Sequence, residues 1–284
     1  MIKEDLSRKI VLITGSTDGL GKLVARDLAG EGAAVLLHGR NEQKGLSVLD
    51  ELSGAPGNEK LKYFNGNYSS LEEVNRLADK ILDSQEYIDI LINNVGIGSG
   101  LSDGNRRELS RDGFELRLAV NYLSHVLLTE KLIPILKQGT SRIINVASIG
   151  QETIDFSNLM LERKYDGFLA YKRSKTALIM YTFDLAERLK ATGIKVNAVH
   201  PASLMNTKMV LVDWGRALTT VEQGAEAVEN LLHTDLTGAF FEGKRQADAI
   251  SQAYDPESRA RLREITSELL QKYLGKYTLQ GDKN

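Results

Sequence analysis

Two side chains define the chemistry this chain is equipped for. Tyr171 and Lys175 lie four apart in Phe168-Leu-Ala-Tyr171-Lys-Arg-Ser-Lys175-Thr-Ala-Leu178, an apolar stretch with helical spacing. Residues at i and i+4 share a helix face, so the phenol and the ammonium point the same way. A free phenol has a pKa of about 10, and a neighbouring cation favours the phenolate. Such a tyrosine can hand a proton to a carbonyl oxygen or take one from an alcohol. A Tyr-x-x-x-Lys pair also arises by chance as a surface tyrosine with a neighbour. It therefore carries weight only through the elements that position it.

Those elements begin with Lys9-Ile-Val-Leu-Ile-Thr14, a β-branched apolar run that reads as a strand buried on both faces. Gly15-Ser16-Thr17-Asp-Gly19-Leu20-Gly21 follows at once, and a helical pattern runs from Lys22 to about Gly30. Strand, glycine turn and helix together make the layout of a dinucleotide-binding unit. Glycines let the backbone approach a pyrophosphate, and the helix N-terminus offers free N–H groups.

The second strand, Ala33–His38, ends in Gly39-Arg40-Asn41. No carboxylate stands there to bind ribose hydroxyls, as NAD would require, whereas Arg40 offers a charged fork for the 2′-phosphate of NADP. NADP is the expected cofactor and NAD the alternative. Leu61–Asn65 reads as a third strand and Ile88–Asn93 as a fourth, with Ser69 or Ser70 capping the helix between them. Ligands in such folds bind at the carboxyl ends of the strands, so residues 14–20, 38–41, 65–68 and 93–98 are expected to line one crevice. The alternation predicts a single doubly wound α/β Rossmann-type domain over 1–284, with a central parallel sheet and helices on both faces.

Composition narrows the rest. The 284 residues carry a net charge of −2, which provides no attraction for nucleic acid or an acidic membrane. With no cysteine, thiol nucleophiles and thiolate metal sites are excluded, and the four scattered histidines lack ligand spacing, so no metal is expected. Met1–Lys9 is too charged for a signal peptide, and no apolar run is long enough to span a bilayer. A cytoplasmic protein that binds no membrane is the expectation.

In order along the chain, these features resemble the short-chain dehydrogenase/reductase family. Thr14-Gly15-Ser16-Thr17-Asp18-Gly19-Leu20-Gly21 is similar to its cofactor-binding turn, and Asn93-Asn94-Val95-Gly96 to its Asn-Asn-Ala-Gly signature. Asn121, in a helix expected over Gly113–Lys137, resembles its helix asparagine, and Ser148, after the strand Arg142–Ala147, its active-site serine. Tyr171 and Lys175 match its Tyr-x-x-x-Lys pair, and His200-Pro201-Ala202, after the strand Lys195–Val199, its Pro-Gly turn.

The resemblance implies a role for each residue. Tyr171 would be the general acid/base, Ser148 would bond the substrate oxygen, and Lys175 would bind the nicotinamide ribose and bias Tyr171 toward ionisation. Asn121 would hold a water in a proton relay to Lys175. Pro201 and Thr207 would border the nicotinamide, with Thr207 on its carboxamide, while Arg40, Asn67 and Asn93 would contact the adenosine half. Three departures stand out: Val95 for alanine, Ala202 for glycine, and Asn67 where aspartate is common. Homo-oligomerisation through the helices of Asn121 and Tyr171 is expected by analogy.

The stretch 149–168, between Ser148 and Tyr171, is longer than compact members need, and resembles the retinol-dehydrogenase-like branch. It begins and ends at catalytic positions, so it either borders the substrate pocket or packs on itself. Leu204, Met205, Met209, Val210, Leu211 and Trp214 form either a lid over about 203–216 or ordinary core. As a lid they would select a small, largely apolar carbonyl or alcohol substrate. Val221–His233 reads as a helix, Gly238–Glu242 as the last strand, and about 255–274 as a terminal helix that Asp255 caps and Gly275 stops. Gln280–Asn284 reads as a frayed tail. A catalytically silent NADP(H) sensor or scaffold is the competing function, and an epimerase or dehydratase on the same site a third; the sensor has no use for the set Asn121, Ser148, Tyr171 and Lys175.

Overall fold

The protein is described from a computed structural model over residues 5–54, 60–100 and 106–275, so the tail Gln280–Asn284 lies outside the described residues. Its centre is one eight-stranded sheet in the order β3-β2-β1-β4-β5-β6-β7-β8. The strands are β1 Ile10–Ile13, β2 Ala34–Gly39, β3 Lys62–Asn65, β4 Ile90–Asn93, β5 Arg142–Val146, β6 Lys195–His200, β7 Phe240–Glu242 and β8 Arg245–Ala247. All neighbours pair in parallel except β7 and β8. The helices are α1 Gly19–Gly30, α2 Glu42–Ser53, α3 Leu71–Ser84, α4 Leu116–Leu118, α5 Ser124–Leu132, α6 Gly167–Arg188, α7 Lys208–Trp214, α8 Val221–Asn230, α9 Ser251–Tyr254 and α10 Pro256–Leu274.

Strand side chains alternate between the two faces, and β1 shows the result. Leu12 joins a core built with α3, α5, α6 and α10, whereas Val11 and Ile13 join the opposite core with α1, α2 and α8. Both faces are therefore covered, which is why β1 and β4 are apolar without alternation. Local caps hold the helix starts in place. Asp18, Ser70, Asp166 and Asp255 each accept a backbone N–H in the first turn of α1, α3, α6 and α10.

Three details differ from the sequence reading. Gly238–Glu242 does not contain the last strand: β7 turns through Gly243, at φ +58°, into the antiparallel β8. The helix of Asn121 is not continuous over Gly113–Lys137. It starts at Leu116, widens into a π segment over Ala119–Leu123, and resumes as α5. The helix that begins at Val221 ends at Asn230, short of His233.

The terminal helix covers the faces offered above to a second copy. Leu262, Leu270 and Leu274 of α10 are buried in the core shared with α5 and α6. The Tyr122 and Thr266 hydroxyls are hydrogen-bonded at 2.7 Å, Arg263 pairs with Asp184, and Arg259 reaches Glu187 at 3.3 Å. Every residue of α5, and the run Ser174–Ala186 of α6, is buried within the one chain.

Candidate active site

The strand order reverses at β1, which pairs in parallel with β2 on one side and β4 on the other. A crevice opens beyond the carboxyl ends of strands at such a point. The glycine turn lines its floor, with Gly15 at φ +68° and Gly19 at φ +48°. A Cβ on Gly21 would lie 2.4 Å from the carbonyl oxygen of Gly15, so α1 can sit this close to the turn only with glycine there. Thr17 packs on Gly39, Leu20 is buried, and Ser16 exchanges hydrogen bonds with the backbone of His38.

His38 braces this turn, a role the sequence reading missed. Its Nδ1 accepts from the Gly15 N–H at 3.1 Å, so Nε2 carries the proton and donates to the Gly66 carbonyl at 3.1 Å. Burial lowers its pKa to about 4, which keeps the ring neutral. A histidine ending a strand beside a glycine turn was the only signal available in the sequence.

The two asparagines after β4 divide their work. Asn94 Nδ2 donates to the Thr14 and Gly15 carbonyls at 2.9 and 3.2 Å and ties β4 to the turn. Asn93 turns away from the crevice: it is fully buried, and its Nδ2 donates to Thr129 Oγ1 at 2.9 Å and Asn145 Oδ1 at 2.8 Å. The parallel register places Asn93 beside Asn145, so both side chains leave the same face.

Arg40 is exposed, and its guanidinium has no hydrogen bond or ion pair among the described residues. Lys44, four residues on, is bonded to Asp18 at 2.5 Å. Asn67 closes a turn by accepting from the Ser69 N–H and hydroxyl, both at 3.0 Å. Val95 crowds the glycine turn, since a Cβ on Gly15 would lie 3.1 Å from its Cγ2. Ala202, next to the buried Pro201, is not among the positive-φ residues, so the usual glycine is not needed there.

The proposed catalytic residues gather on the other wall. Lys175 is buried, and its Nζ donates to the Val146 carbonyl at 2.9 Å. A Cβ on Gly96 would lie 3.5 Å from that Nζ and 3.6 Å from Asn121 Oδ1, which places both groups around one glycine. A Cβ on Gly150 would lie 3.4 Å from Ser148 Oγ and 3.7 Å from Tyr171 Cε1, so serine and tyrosine share the adjoining wall. Ser148 is nearly buried, and its Oγ accepts from the Gly150 N–H at 3.0 Å.

The electrostatics depart from the simple Tyr–Lys argument. Burial pushes the Tyr171 phenol above its ordinary value; the Ser148 hydroxyl pulls it down, and the Asp213 carboxylate raises it further. The net direction is upward, opposite to the expected bias toward ionisation. The physical reason is burial of the phenol; Lys175 meanwhile donates to Val146, and burial lowers its own pKa to about 8. Asn121 is fully buried; both amide protons are used, on the Ile97 carbonyl at 3.1 Å and Ser174 Oγ at 3.0 Å. Its Oδ1 accepts from the Ile97 N–H at 2.8 Å and keeps one lone pair for a water.

The stretch after Ser148 folds as a lip anchored near its start. Ile154 N–H donates to Gln252 Oε1 at 2.7 Å, Gln252 Nε2 returns a bond at 3.1 Å, and Lys172 pairs with Glu152 at 2.8 Å. Ile154 and Leu161 are buried, while Phe156, Leu159 and Met160 pack partly on the main core. The segment after Pro201 is mixed: Met205 and Val210 are buried, whereas Met209, Leu211 and Trp214 are exposed.

Residues 9–213 match the short chain dehydrogenase family. The chain belongs to the short-chain dehydrogenases. Within that family it belongs to the retinol-dehydrogenase-like branch: it is 32% identical to human retinol dehydrogenase 11 over 93% of this chain and 86% of the relative. Against human retinol dehydrogenase 13 the figures are 31%, 92% and 84%. Among solved structures, an uncharacterised Mycobacterium paratuberculosis protein superposes with a TM-score of 0.78 at 26% identity, covering 95% of this chain and 96% of that one. A Shigella flexneri short chain dehydrogenase complexed with NADP superposes with a TM-score of 0.67 at 22% identity, over 86% and 100%. This short-chain dehydrogenase is therefore an oxidoreductase of CH–OH and C=O groups. No helix among its described residues is long and apolar enough to cross a membrane.

Proposed function

We propose that this short-chain dehydrogenase is NADP-dependent and interconverts the carbonyl and alcohol forms of a largely apolar substrate, with Tyr171 as general acid/base. The observation that carries the reading is the shared wall of Ser148 Oγ and Tyr171, both within 4 Å of one point beside Gly150. The Tyr171 phenol is also hydrogen-bonded to the Ser148 side chain, so a substrate oxygen beside the pair would have both hydroxyls available as donors.

The residues present fit a dinucleotide. Gly15, Gly19 and Gly21 form a cradle that a Cβ would fill, and Arg40 is exposed without a protein partner among the described residues. Arg40, joined by Lys44, suits a 2′-phosphate, and no carboxylate ends β2. Gly15, Ser16, Thr17, Gly19, Leu20, Gly21, Asn94 and Gly96 shape the binding floor. Pro201 and Thr207 close the nicotinamide end. When bound, the nicotinamide supplies the hydride.

The chain's own groups then handle the proton. Ser148 orients the substrate oxygen. The raised phenol of Tyr171 stays protonated near neutral pH, so it is ready to donate to that oxygen as negative charge develops. This favours the reductive direction. Asn121 Oδ1 can hold a water on the path from Lys175 toward solvent. Exposed apolar residues on α7 and the lip after Ser148 favour an apolar substrate. No surface of α5 is left open to a second copy, so a homo-oligomer would have to form elsewhere.

The test is purified protein with NADPH and a panel of apolar aldehydes and ketones, followed by loss of the reduced-cofactor absorbance. Tyr171→Phe is expected to lose at least about a hundredfold in turnover while still binding NADPH. Unchanged turnover in that variant would eliminate Tyr171 as the acid. Cofactor binding without turnover of any substrate would favour the sensor reading.

A further inference from the structure

The helix α7 belongs to a loop clasped at its neck. The chain passes Leu204, at φ +48°, and returns at Thr219, where Leu218 N–H donates to the Leu204 carbonyl at 2.9 Å and Asn206 N–H to the Thr219 carbonyl at 3.0 Å. Gly215 ends α7 at φ +68°. A leucine in the left-handed region is strained. Left-handed residues therefore bracket α7, and between them the loop touches the site at three points.

Thr207 Cγ2 lies against the glycine turn, 3.3 Å from where a Cβ on Gly19 would stand. Trp214 meets Phe168, the residue three before Tyr171, edge to face at 5.8 Å. The third point is polar. Asp213 Oδ2 accepts from the Ser99 N–H at 2.7 Å and from Ser99 Oγ at 2.9 Å. These partners are 114 residues apart, Ser99 following β4 and Asp213 following β6. Gly98 makes room for the carboxylate, because a Cβ there would lie 2.1 Å from Asp213 Oδ2.

The Ser99 side is a fixed post. Asn121 holds both backbone groups of Ile97, and the buried Arg117 donates to the Gly98 carbonyl at 3.3 Å. Arg117 is itself held by Tyr165 at 3.0 Å and Glu108 at 3.3 Å. The α7 side has the opposite character: four of its apolar side chains, Met209, Leu211, Val212 and Trp214, are exposed. Of α7 only Val210 is buried, so the tip is held by the Trp214–Phe168 contact and the carboxylate grip on Ser99. Asp213 is also the one acidic residue between Ser203 and Trp214.

We propose that Asp213 is a positioning residue, a latch that grips Ser99 and holds α7 closed across the crevice between the glycine turn and the Tyr171 helix. Release of Ser99 frees α7 to swing about its clasped neck and admits cofactor and substrate; re-engagement excludes water from the reacting groups. The catalytic consequence rests on the function proposed above, whereas the latch itself does not.

Trp214 is the only tryptophan in the chain and reports on α7 directly. Acrylamide quenching and anisotropy decay of its fluorescence are to be measured on the full chain, with and without NADPH, for wild type, Ser99→Ala, Asp213→Asn and Asp213→Ala. Asp213→Ala is expected to raise the quenching constant at least about twofold, with faster local motion. Ser99→Ala should give a smaller rise, because the backbone N–H still donates. Asp213→Asn keeps an acceptor oxygen and should stay near wild type. The double variant Ser99→Ala/Asp213→Ala should match Asp213→Ala alone, as expected for one shared interaction.

In turnover assays, Asp213→Ala should raise KM for NADPH more than it lowers kcat. Wild-type quenching in an Asp213→Ala protein with unchanged circular dichroism would overturn the latch, as would additive effects in the double variant. If Asp213→Ala does not fold, wild-type quenching and dynamics in Ser99→Ala would do the same. Altered quenching in a protein that turns over no substrate would leave the latch standing and reject the catalytic reading.

Discussion

Asn121 and Ile97 are joined by a two-way amide pair: the Ile97 N–H donates to Asn121 Oδ1 at 2.8 Å, and Asn121 Nδ2 donates back to the Ile97 carbonyl at 3.1 Å. The side chain thereby acts as a one-residue strand against the loop after β4. It sits in the π segment Ala119–Leu123, a local widening of the helix of the kind found where a side chain must be aimed. Asn121→Ala leaves the Ile97 N–H and carbonyl and the Ser174 hydroxyl without this partner. Its urea midpoint is expected to fall by the equivalent of about 2–4 kcal/mol. A loss below about 0.5 kcal/mol would show that water replaces the amide freely.

His38 makes stability depend on pH. Its folded pKa of about 4 lies below the unfolded value near 6.5, so the unfolded chain binds the extra proton. Stability from its neutral form is full above about pH 6.5 and is lost as pH falls toward 4. His125, lowered to about 3 by burial, acts in the same direction. Thermal unfolding followed from pH 7 to 4 should show a falling midpoint and proton uptake. The fall should be shallower in His38→Gln, by up to roughly 3 kcal/mol at the acid end. Parallel curves for the two proteins would remove His38 from the account.

Arg40 sets the choice of cofactor. Its guanidinium is exposed and without a protein partner among the described residues, so replacing it disturbs no internal contact. Arg40→Asp should lower the ratio of kcat/KM for NADPH to that for NADH by about tenfold or more, since a charged fork on phosphate is lost and a carboxylate repels it. The thermal midpoint should stay within the range of ordinary surface substitutions. An unchanged ratio would move the 2′-phosphate site away from the end of β2.

The cover formed by α10 contributes to stability. Leu270 is fully buried against the core shared with α5 and α6, so Leu270→Ala should cost about 2–4 kcal/mol in a denaturant titration. Catalysis by the surviving folded fraction should be little changed, because α10 lies on the side of α6 away from the crevice. Wild-type stability in this variant would show that the helix is not docked as described.

The sequence by itself determined the features that depend on neighbours along the chain. Strand, glycine turn and helix follow from Ile10–Gly30, Asp255 is a cap by residue type and place, and Tyr171 faces the same way as Lys175 because four residues make about one helical turn. Only the tertiary structure decided what distant segments impose on one another. Parallel register turned Asn93 inward beside Asn145; the π segment re-aimed Asn121; α10 closed the outward side of α5 and α6; and Asp213 met Ser99 across the crevice. Burial likewise raised the Tyr171 phenol although a lysine lies one turn away. Local hydrogen bonds and periodicity are written in adjacent residues, whereas register, desolvation and docking are set by partners dozens of positions away.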